Sequence, residues 1–154
     1  MEKLTIPNRV EMARRKLLDG AYTCAVMTED AEYCSKERGV KPLLALFQSG
    51  QACCGAVAAD KTVGAGAAHL YVLLGIRALW ANVISVSAQK ILEENRIEVF
   101  YEKRVPYIIN RQGDGVCPIE SAVADVKASK DAYALIIATL ERLSASDLKK
   151  SSDS

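Results

Sequence analysis

The sequence predicts an α/β protein, a three-layer α/β/α sandwich around a mixed five-stranded sheet. Segments with helical periodicity alternate with short apolar or β-rich segments, and such alternation predicts mainly parallel strands between helical layers. Two β-rich segments near the N-terminus are separated only by a turn around Glu29-Asp30, which predicts a hairpin and one antiparallel strand. The length of 154 residues suits one domain, expected over residues 1–145, followed by a polar tail at 146–154 that we expect to be disordered.

The first third of the chain predicts a helix, the hairpin and a second helix. Apolar residues from Val10 to Leu18 recur at helical spacing, and Gly20 stands where that helix would end. The hairpin strands are expected in YTCAVMTED and AEYCS. Pro42 suits the first turn of the second helix, and Gly50 suits its end.

The middle of the chain predicts two buried strands, each followed by a helix. The small apolar run CCGAVAAD is typical of a strand that is covered on both faces. Asp60 at its end is the predicted N-cap of a helix that starts at Lys61 or Thr62. RALWANVIS predicts the second buried strand, and Ser85 or Ser87 is the predicted cap of the helix SAQKILEEN.

The last third predicts one more strand, a loop and two helices. EVFYEK and VPYII supply the strand, which is interrupted at Pro106. The most loop-like segment, NRQGDGVCPIE, runs into a helix at Pro118. An apolar stripe from Tyr133 to Leu143 predicts the final helix.

Composition excludes several classes of protein. The 20 basic and 19 acidic residues nearly cancel to a formal charge of +1, so neither nucleic acid nor an anionic membrane is an expected partner. The N-terminus lacks the pattern of a secretory signal, and no segment has the length of a membrane span. Five cysteines without a C-x-x-C pair fit free thiols in a cytoplasmic protein. A homo-oligomer is compatible with the sequence, with the apolar segment 62–76 and Trp80 as candidate contacts.

Candidate binding residues follow the ends of predicted strands. In mainly parallel sheets, ligands bind at the carboxyl ends of the strands, next to helix N-termini. We therefore expect a small-molecule pocket at that edge, with ligand-binding roles for Ser35, Lys41, Gly64 and Ser85. The alternative is that the two serines only cap helices or turns and that Lys41 is solvated.

Asp60 and Lys61 form the first candidate catalytic group. Helix N–H groups and Lys61 would attract an anion, while Asp60 would bind a hydroxyl group or move a proton. Alternatively, Asp60 only caps the helix and Lys61 is solvated.

The segment from Arg111 to Glu120 contains the second candidate group. Cys117 stands before Pro118 at a predicted helix N-terminus, a position that favours the thiolate form. One interpretation makes Cys117 a nucleophile with Glu120 as its proton acceptor and Arg111 as a cationic contact for the ligand. The other interpretation is a half-buried cysteine in a capped loop.

Four short motifs together resemble those of a known family. They are S-x-x-x-G-V-K-P-L-L at 35–44, A-D-K-T-V-G-A-G-A-A at 59–68, Ile84-Ser85, and R-Q-G-D-G-V-C-P-I-E at 111–120. They resemble the bacterial family of uncharacterised proteins called domain of unknown function 1893, which is placed in the cytidine deaminase-like superfamily. The resemblance implies a cytidine deaminase-like fold.

The same resemblance draws attention to missing zinc ligands. Zinc deaminases carry H-x-E or C-x-E at the helix after the hairpin and P-C-x-x-C at the helix after the next strand. The matching positions here, 35–42 and 60–64, contain neither histidine nor cysteine. Because catalytic zinc needs three protein ligands, this argues against zinc-dependent deamination, and we expect no metal or other cofactor.

The function we favour from the sequence is recognition of a small nucleotide-like or phosphorylated metabolite. The candidate catalytic residues are Asp60, Lys61, Cys117 and Glu120, and the candidate ligand-binding residues are Ser35, Lys41, Gly64, Ser85 and Arg111. Two alternatives stay open: a metal-independent transferase or hydrolase that uses Cys117 covalently, and a non-catalytic interaction protein.

Overall fold

Helices and strands follow one another in the predicted order in the computed structural model, which describes residues 5–110 and 112–152. The helices are α1 (Ile6–Asp19), α2 (Lys41–Gln48), α3 (Ala65–Leu74), α4 (Val86–Glu94), α5 (Pro118–Val123) and α6 (Ser129–Ser152). The strands are β1 (Cys24–Met27), β2 (Glu32–Ser35), β3 (Val57–Val63), β4 (Ala78–Ser85) and β5 (Glu98–Val105). Helix α6 therefore continues into the segment that the sequence suggested as a polar tail.

The five strands form one mixed sheet in the order β2-β1-β3-β4-β5. Strand β1 is antiparallel to both of its neighbours, while β3, β4 and β5 are parallel to one another. Cys24 at the start of β1 pairs with Ser35 at the end of β2 and with Asp60 in β3. The prediction of a mixed five-stranded sheet with a hairpin is thus confirmed.

Helix α1 covers one face of the sheet, and α2, α3 and α4 lie on the other. Val10, Ala13 and Leu17 of α1 pack in a cluster with Ala59 and Trp80. On the opposite face α3 packs against α2 and α4, and α5 and α6 add a further layer outside α3. The sandwich therefore has one helix on one side of the sheet and five on the other within the described chain.

Burial changes the interpretation of the two predicted oligomer contacts. Eight residues of α3 are buried, so this helix belongs to the core of the chain. Trp80 is only 6% exposed, and the guanidinium of Arg14 lies 5.3 Å from its ring centroid. Most of α3 and Trp80 are therefore covered within the chain itself.

The prediction that Asp60 caps a helix is wrong. Strand β3 continues to Val63, because Thr62 and Val63 still pair with Val83 and Ile84 of β4. Helix α3 begins only at Ala65, and Gly64 is its N-cap residue, without a side-chain hydrogen bond. Long-range pairing of two β-branched residues has extended the strand past the local capping signal.

The segment around the adjacent cysteines Cys53 and Cys54 also differs from the predicted strand. Cys53 and Cys54 lie in the turn before β3 rather than in the strand, and Gly55 in that turn has a φ of 82°.

No described helix is long and apolar enough to cross a membrane.

Candidate functional site

The candidate residues on strands gather at one edge of the sheet, as expected. Ser35 ends β2, Gly64 follows β3, and Ser85 ends β4. Asp60 lies within β3, before Gly64 in the chain, and pairs with Cys24 at the start of the antiparallel strand β1. We call this end of the sheet, marked by Ser35, Gly64 and Ser85, the carboxyl edge.

Asp60 is the centre of a buried hydrogen-bond network. Its side chain is 7% exposed, and its Oδ2 accepts the hydroxyl proton of Tyr71 at 2.6 Å. Its Oδ1 accepts the N–H of Thr62 at 3.1 Å, and the Tyr71 oxygen lies 3.4 Å from Sγ of Cys24. The network therefore joins β1, β3 and α3.

Burial dominates the acid–base properties of this network. It raises the pKa of Asp60 from 3.8 to about 7, although the hydrogen bonds from Tyr71 and the backbone act in the opposite direction. Burial also raises the pKa values of Tyr71 and Cys24, and the Asp60 carboxylate adds to both increases. Burial thus favours the protonated form of Asp60 up to about neutral pH.

Lys61 does not share the surroundings of Asp60. Its side chain is exposed, and its N–H donates to the carbonyl of Thr23 at 2.9 Å. Successive side chains of a strand point to opposite faces, which separates two neighbours of this kind. The structure therefore does not unite Asp60 and Lys61 in one buried pair.

Glu120 is the centre of a second buried network, at the starts of α3 and α4. It is 3% exposed, its Oε2 accepts the N–H of Ala65 at 2.6 Å, and its Oε1 accepts the hydroxyl of Ser87 at 2.8 Å. A Cβ placed on Gly64 would overlap Oε2 of Glu120, so the close approach requires glycine there. Oγ of Ser87 lies 3.3 Å from Oγ of Ser85. Three candidate residues, Gly64, Ser85 and Glu120, thus come together.

Ser85 is the N-cap of α4, which agrees with the prediction that Ser85 or Ser87 caps this helix. Its Oγ accepts the N–H of Ala88 at 3.1 Å, and the residue is fully buried. A capping role and a place in the Glu120 network coexist in this residue.

Removal of the Ser85 hydroxyl is expected to destabilise the protein. Ser85→Ala leaves the N–H of Ala88 without its acceptor, and loss of such a cap costs about 1 kcal/mol. Urea denaturation followed by circular dichroism measures the change, with Ser121→Ala on the exposed side of α5 as the control. Equal stability of Ser85→Ala and the wild type would contradict the capping role.

Cys117 lies near Glu120 in sequence but is not its hydrogen-bond partner. It is half-buried at the N-cap of α5, and its N–H donates to the carbonyl of Ile108 at 2.8 Å. Within the described part of the chain, the side-chain hydrogen bonds of Glu120 go to Ala65 and Ser87. The geometry therefore does not form the nucleophile and base pair of the sequence hypothesis.

The remaining candidate residues lie apart from both networks. Ser35 is half-buried and accepts the N–H of Glu37 through Oγ at 3.0 Å, which is a turn-capping bond. Lys41 is exposed at the start of α2, where the N-cap is Val40 and no side chain caps the helix. Arg111 lies outside the described residues.

The single histidine serves the interior of the protein. Nδ1 of His69 lies 3.0 Å from Oγ of Ser129, and Nε2 lies 3.2 Å from the carbonyl of Val123. Burial lowers its pKa, against the opposite effect of that carbonyl. These contacts tie α3 to the start of α6 and to α5. Over residues 5–110 and 112–152 there is no group of three or more His, Cys, Asp or Glu side chains that could hold a metal ion.

Sequence reasoning missed Tyr71 as a member of the Asp60 network and Ser87 as a donor to Glu120. A signal for Tyr71 existed, because a tyrosine in an otherwise apolar helix needs a buried partner for its hydroxyl. For Ser87 the sequence predicts only a capping role.

The candidate residues do not line the cleft at the other end of the sheet. That cleft, of about 610 Å³, lies between α1 and the turn of the β1–β2 hairpin, and its walls include Arg9, Met12 and Glu29. At the carboxyl edge, the Glu120 side chain occupies the amide of Ala65 and the hydroxyl of Ser87.

Comparison with known proteins identifies relatives of the chain and its fold. Residues 12–140 match the sequence model of the family described as "Domain of unknown function (DUF1893)". The crystal structure of a DUF1893 family protein from Thermotoga maritima matches with a TM-score of 0.80 and 22% identity, over 90% of this chain and 94% of that chain. No curated protein matches the chain.

Proposed function

This chain belongs to the family described as domain of unknown function (DUF1893), and from its own geometry we propose that it binds a small nucleotide-like or phosphorylated metabolite at the carboxyl edge. The observation that carries the proposal is the hydrogen bond from the first N–H of α3, that of Ala65, to the buried carboxylate of Glu120. A neighbouring hydroxyl, that of Ser87, completes the set of donors.

The donors suit an anion with several oxygen atoms. N–H groups at a helix N-terminus favour negative charge through the helix dipole and through hydrogen bonds that no other backbone group satisfies. In this structure the anion is the carboxylate of Glu120 on α5, which is 55 positions from Ala65 in the sequence. A phosphate or carboxylate oxygen of a ligand would meet the same donors once Glu120 moves aside.

Displacement of Glu120 requires only a short element to move. Helix α5 has six residues and stands between the hairpin-like loop before it and the long helix α6. The ligand would exchange its own oxygen atoms for those of Glu120, so no donor at the edge is left unsatisfied. The proposed binding is therefore competitive between the ligand and Glu120.

The other candidate residues take supporting roles in the proposal. Lys41 and Lys61 would add positive charge around the edge, and Ser35 and Ser85 would add hydroxyl groups. A ligand contact by Arg111 stays a prediction from the sequence. Asp60 accepts a hydrogen bond from Tyr71, which is fully buried, and takes no direct part in the proposed binding. Covalent chemistry at Cys117 is not proposed, because its described contacts include no base.

The cytidine deaminase-like placement of the fold and a cytoplasmic location belong to the same proposal. The mixed sheet between helical layers supports the first, and five free cysteines support the second.

Neutralising Glu120 is expected to strengthen ligand binding. Glu120→Gln keeps an oxygen for the Ala65 amide but removes the charge that competes with the ligand, so affinity for a phosphorylated ligand should rise about tenfold. Thermal denaturation with inorganic phosphate, a nucleoside monophosphate and a sugar phosphate measures this, because a ligand that binds the native state raises Tm.

Glu94→Gln is the matched control, since it makes the same chemical change at an exposed position of α4. A larger ligand-induced rise in Tm for Glu120→Gln than for Glu94→Gln and the wild type supports the proposal. Adding Ser87→Ala to Glu120→Gln should reduce that rise. The proposal fails if no ligand shifts any variant, or if both glutamine variants respond equally.

A further inference from the structure

Strand β5 is an open edge of the sheet. It runs for eight residues, pairs with β4 on one side, and has no described strand on the other. Six of its eight residues are exposed, and the other two are half-buried. Such an edge presents unpaired N–H and C=O groups that can pair with another strand.

Exposed apolar side chains concentrate on β5 and the loop that follows it. Phe100 and Tyr101 are 37% and 40% exposed. Beyond β5, Tyr107, Ile109 and Val116 are exposed as well, and a β-bridge pairs Ile109 with Val116. Among the nine large apolar side chains that are exposed in the described chain, these make up five. Phe100 and Tyr101 point to opposite faces of the strand, so apolar side chains flank the open edge on both sides.

We propose that β5 pairs with β5 of a second copy of this chain, antiparallel and about a two-fold axis at Tyr101. The axis would stand perpendicular to the sheet and would join two five-stranded sheets into one. A two-fold axis perpendicular to the sheet leaves each side chain on the same face of the sheet. Two residues can therefore stand directly opposite each other only if their numbers differ by an even number or are the same.

The charges of β5 select the register. An axis at Phe100 would place Glu98 opposite Glu102 of the second copy, and an axis at Glu102 or at Lys103 would place that residue opposite itself. Each of these registers opposes like charges, which destabilises a strand pair. An axis at Tyr101 opposes Glu98 to Arg104 twice and stacks two tyrosines at the centre.

The charge pattern also explains how an edge with charged side chains can pair with a second copy of itself. Natural edges are protected by proline, bulges or charged side chains, and β5 carries four charges, on Glu98, Glu102, Lys103 and Arg104. Here acidic Glu98 and basic Arg104 stand at opposite ends of the strand, so a second antiparallel copy is attracted. The formal charge of +1 for the whole chain adds almost no repulsion between copies.

The oligomeric state in solution tests the proposal. Sedimentation velocity over a dilution series up to about 100 μM should show a concentration-dependent dimer of the wild type. Tyr101→Lys places two lysines across the axis and should weaken the dimer at least tenfold, while circular dichroism shows that the fold is kept.

Leu135→Lys is the matched control, because Leu135 is 41% exposed but lies on α6. It should dimerise like the wild type. A wild type that stays monomeric over the whole series overturns the proposal. A dimer that Tyr101→Lys leaves intact overturns it too, because that dimer uses another surface.

A charge exchange tests the register separately. Arg104→Glu places glutamate opposite Glu98 and should weaken the dimer, whereas the double variant Glu98→Arg with Arg104→Glu restores opposite charges and should recover it. Within one copy, Glu98 lies 3.6 Å from Arg77 and Arg104 donates to Gln89, both on the exposed surface, so the fold tolerates these changes. Failure of the double variant to recover the dimer would exclude the axis at Tyr101.

Discussion

Asp60→Asn is expected to remove a fall in folding stability that the Asp60 carboxyl group causes between pH 5 and pH 7. The wild-type carboxyl group is buried beside Tyr71, and burial raises its pKa to about 7. Asparagine at this position does not ionise. Its amide oxygen can accept from Thr62, and its NH2 group can donate to the Tyr71 oxygen, whose proton then points to Cys24.

The sign follows from proton binding in the two states. Between the ordinary pKa of 3.8 and the folded pKa of about 7, the native protein holds a proton on Asp60 that the unfolded chain has released. The contribution of Asp60 to stability therefore falls as pH rises through that interval and is constant above it. The loss amounts to about 2 to 3 kcal/mol between pH 5 and pH 8, at about 1.4 kcal/mol for each pH unit up to 7.

Urea denaturation of both proteins across this range measures the effect, and the difference between them cancels every other titrating group. We expect Asp60→Asn to be as stable as the wild type near pH 5 and more stable near pH 8. Parallel profiles would mean that Asp60 is ionised in the native protein near neutral pH. Asp60→Ala should destabilise at every pH, because it removes both partners of the Thr62 and Tyr71 donors.

The order of helices and strands could be predicted because local signals and the tertiary fold agree. Ser85 shows this agreement: a serine directly before a helical segment predicts a cap, and its Oγ does accept the N–H of Ala88. The hairpin is similar, since its turn separates two short β-rich segments and fixes one antiparallel strand.

Asp60 shows where local signals fail. An aspartate before a glycine-containing apolar segment resembles a cap, but pairing of Thr62 and Val63 with β4 extends the strand. That one shift in boundary turns a surface cap into a buried carboxyl group, and it separates Asp60 from Lys61. Within the segment only the β-branched residues Thr62 and Val63 favour the strand, and their partners lie on β4, outside the segment.

Glu120 shows a limit of a different kind. Its role as an anion on the Ala65 amide depends on contact between residues 55 positions apart, which periodicity and spacing do not report. The sequence did place Gly64, Ser85 and Glu120 in one candidate site. It did not show that a side chain of the chain itself would occupy the centre of that site.

Gly66→Ala is expected to destabilise the protein, although alanine is normally favoured in a helix. The intrinsic gain at a helix interior is about 1 kcal/mol. A Cβ on Gly66, however, would overlap Cγ2 of Ile119 on α5 and would lie 3.4 Å from Cγ1 of Val40. Ile119 is 8% exposed and β-branched, so its methyl group has little room to rotate away. Overpacking of this kind costs about 1 to 3 kcal/mol, which should exceed the gain.

A double-mutant cycle separates the clash from the intrinsic preference. In an Ile119→Ala background the overlapping methyl group is gone, so Gly66→Ala should become neutral or stabilising. Gly115→Ala is the control, because the nearest atom to its Cβ, on Asn110, is 3.7 Å away. Additive effects of the two substitutions would contradict the contact between α3 and α5.

The same substitution bears on the carboxyl edge, because Ile119 and Glu120 are neighbours on α5. A Cβ on Gly66 pushes Ile119 away from α3, and this movement should also lift Glu120 from the amide of Ala65. Hydrogen exchange of that amide is then expected to be faster in Gly66→Ala than in the wild type, beyond what the loss of global stability explains. An amide that stays as protected as in the wild type would show that α5 yields without releasing Glu120, and displacement by a ligand would then need a larger movement than that of α5 alone.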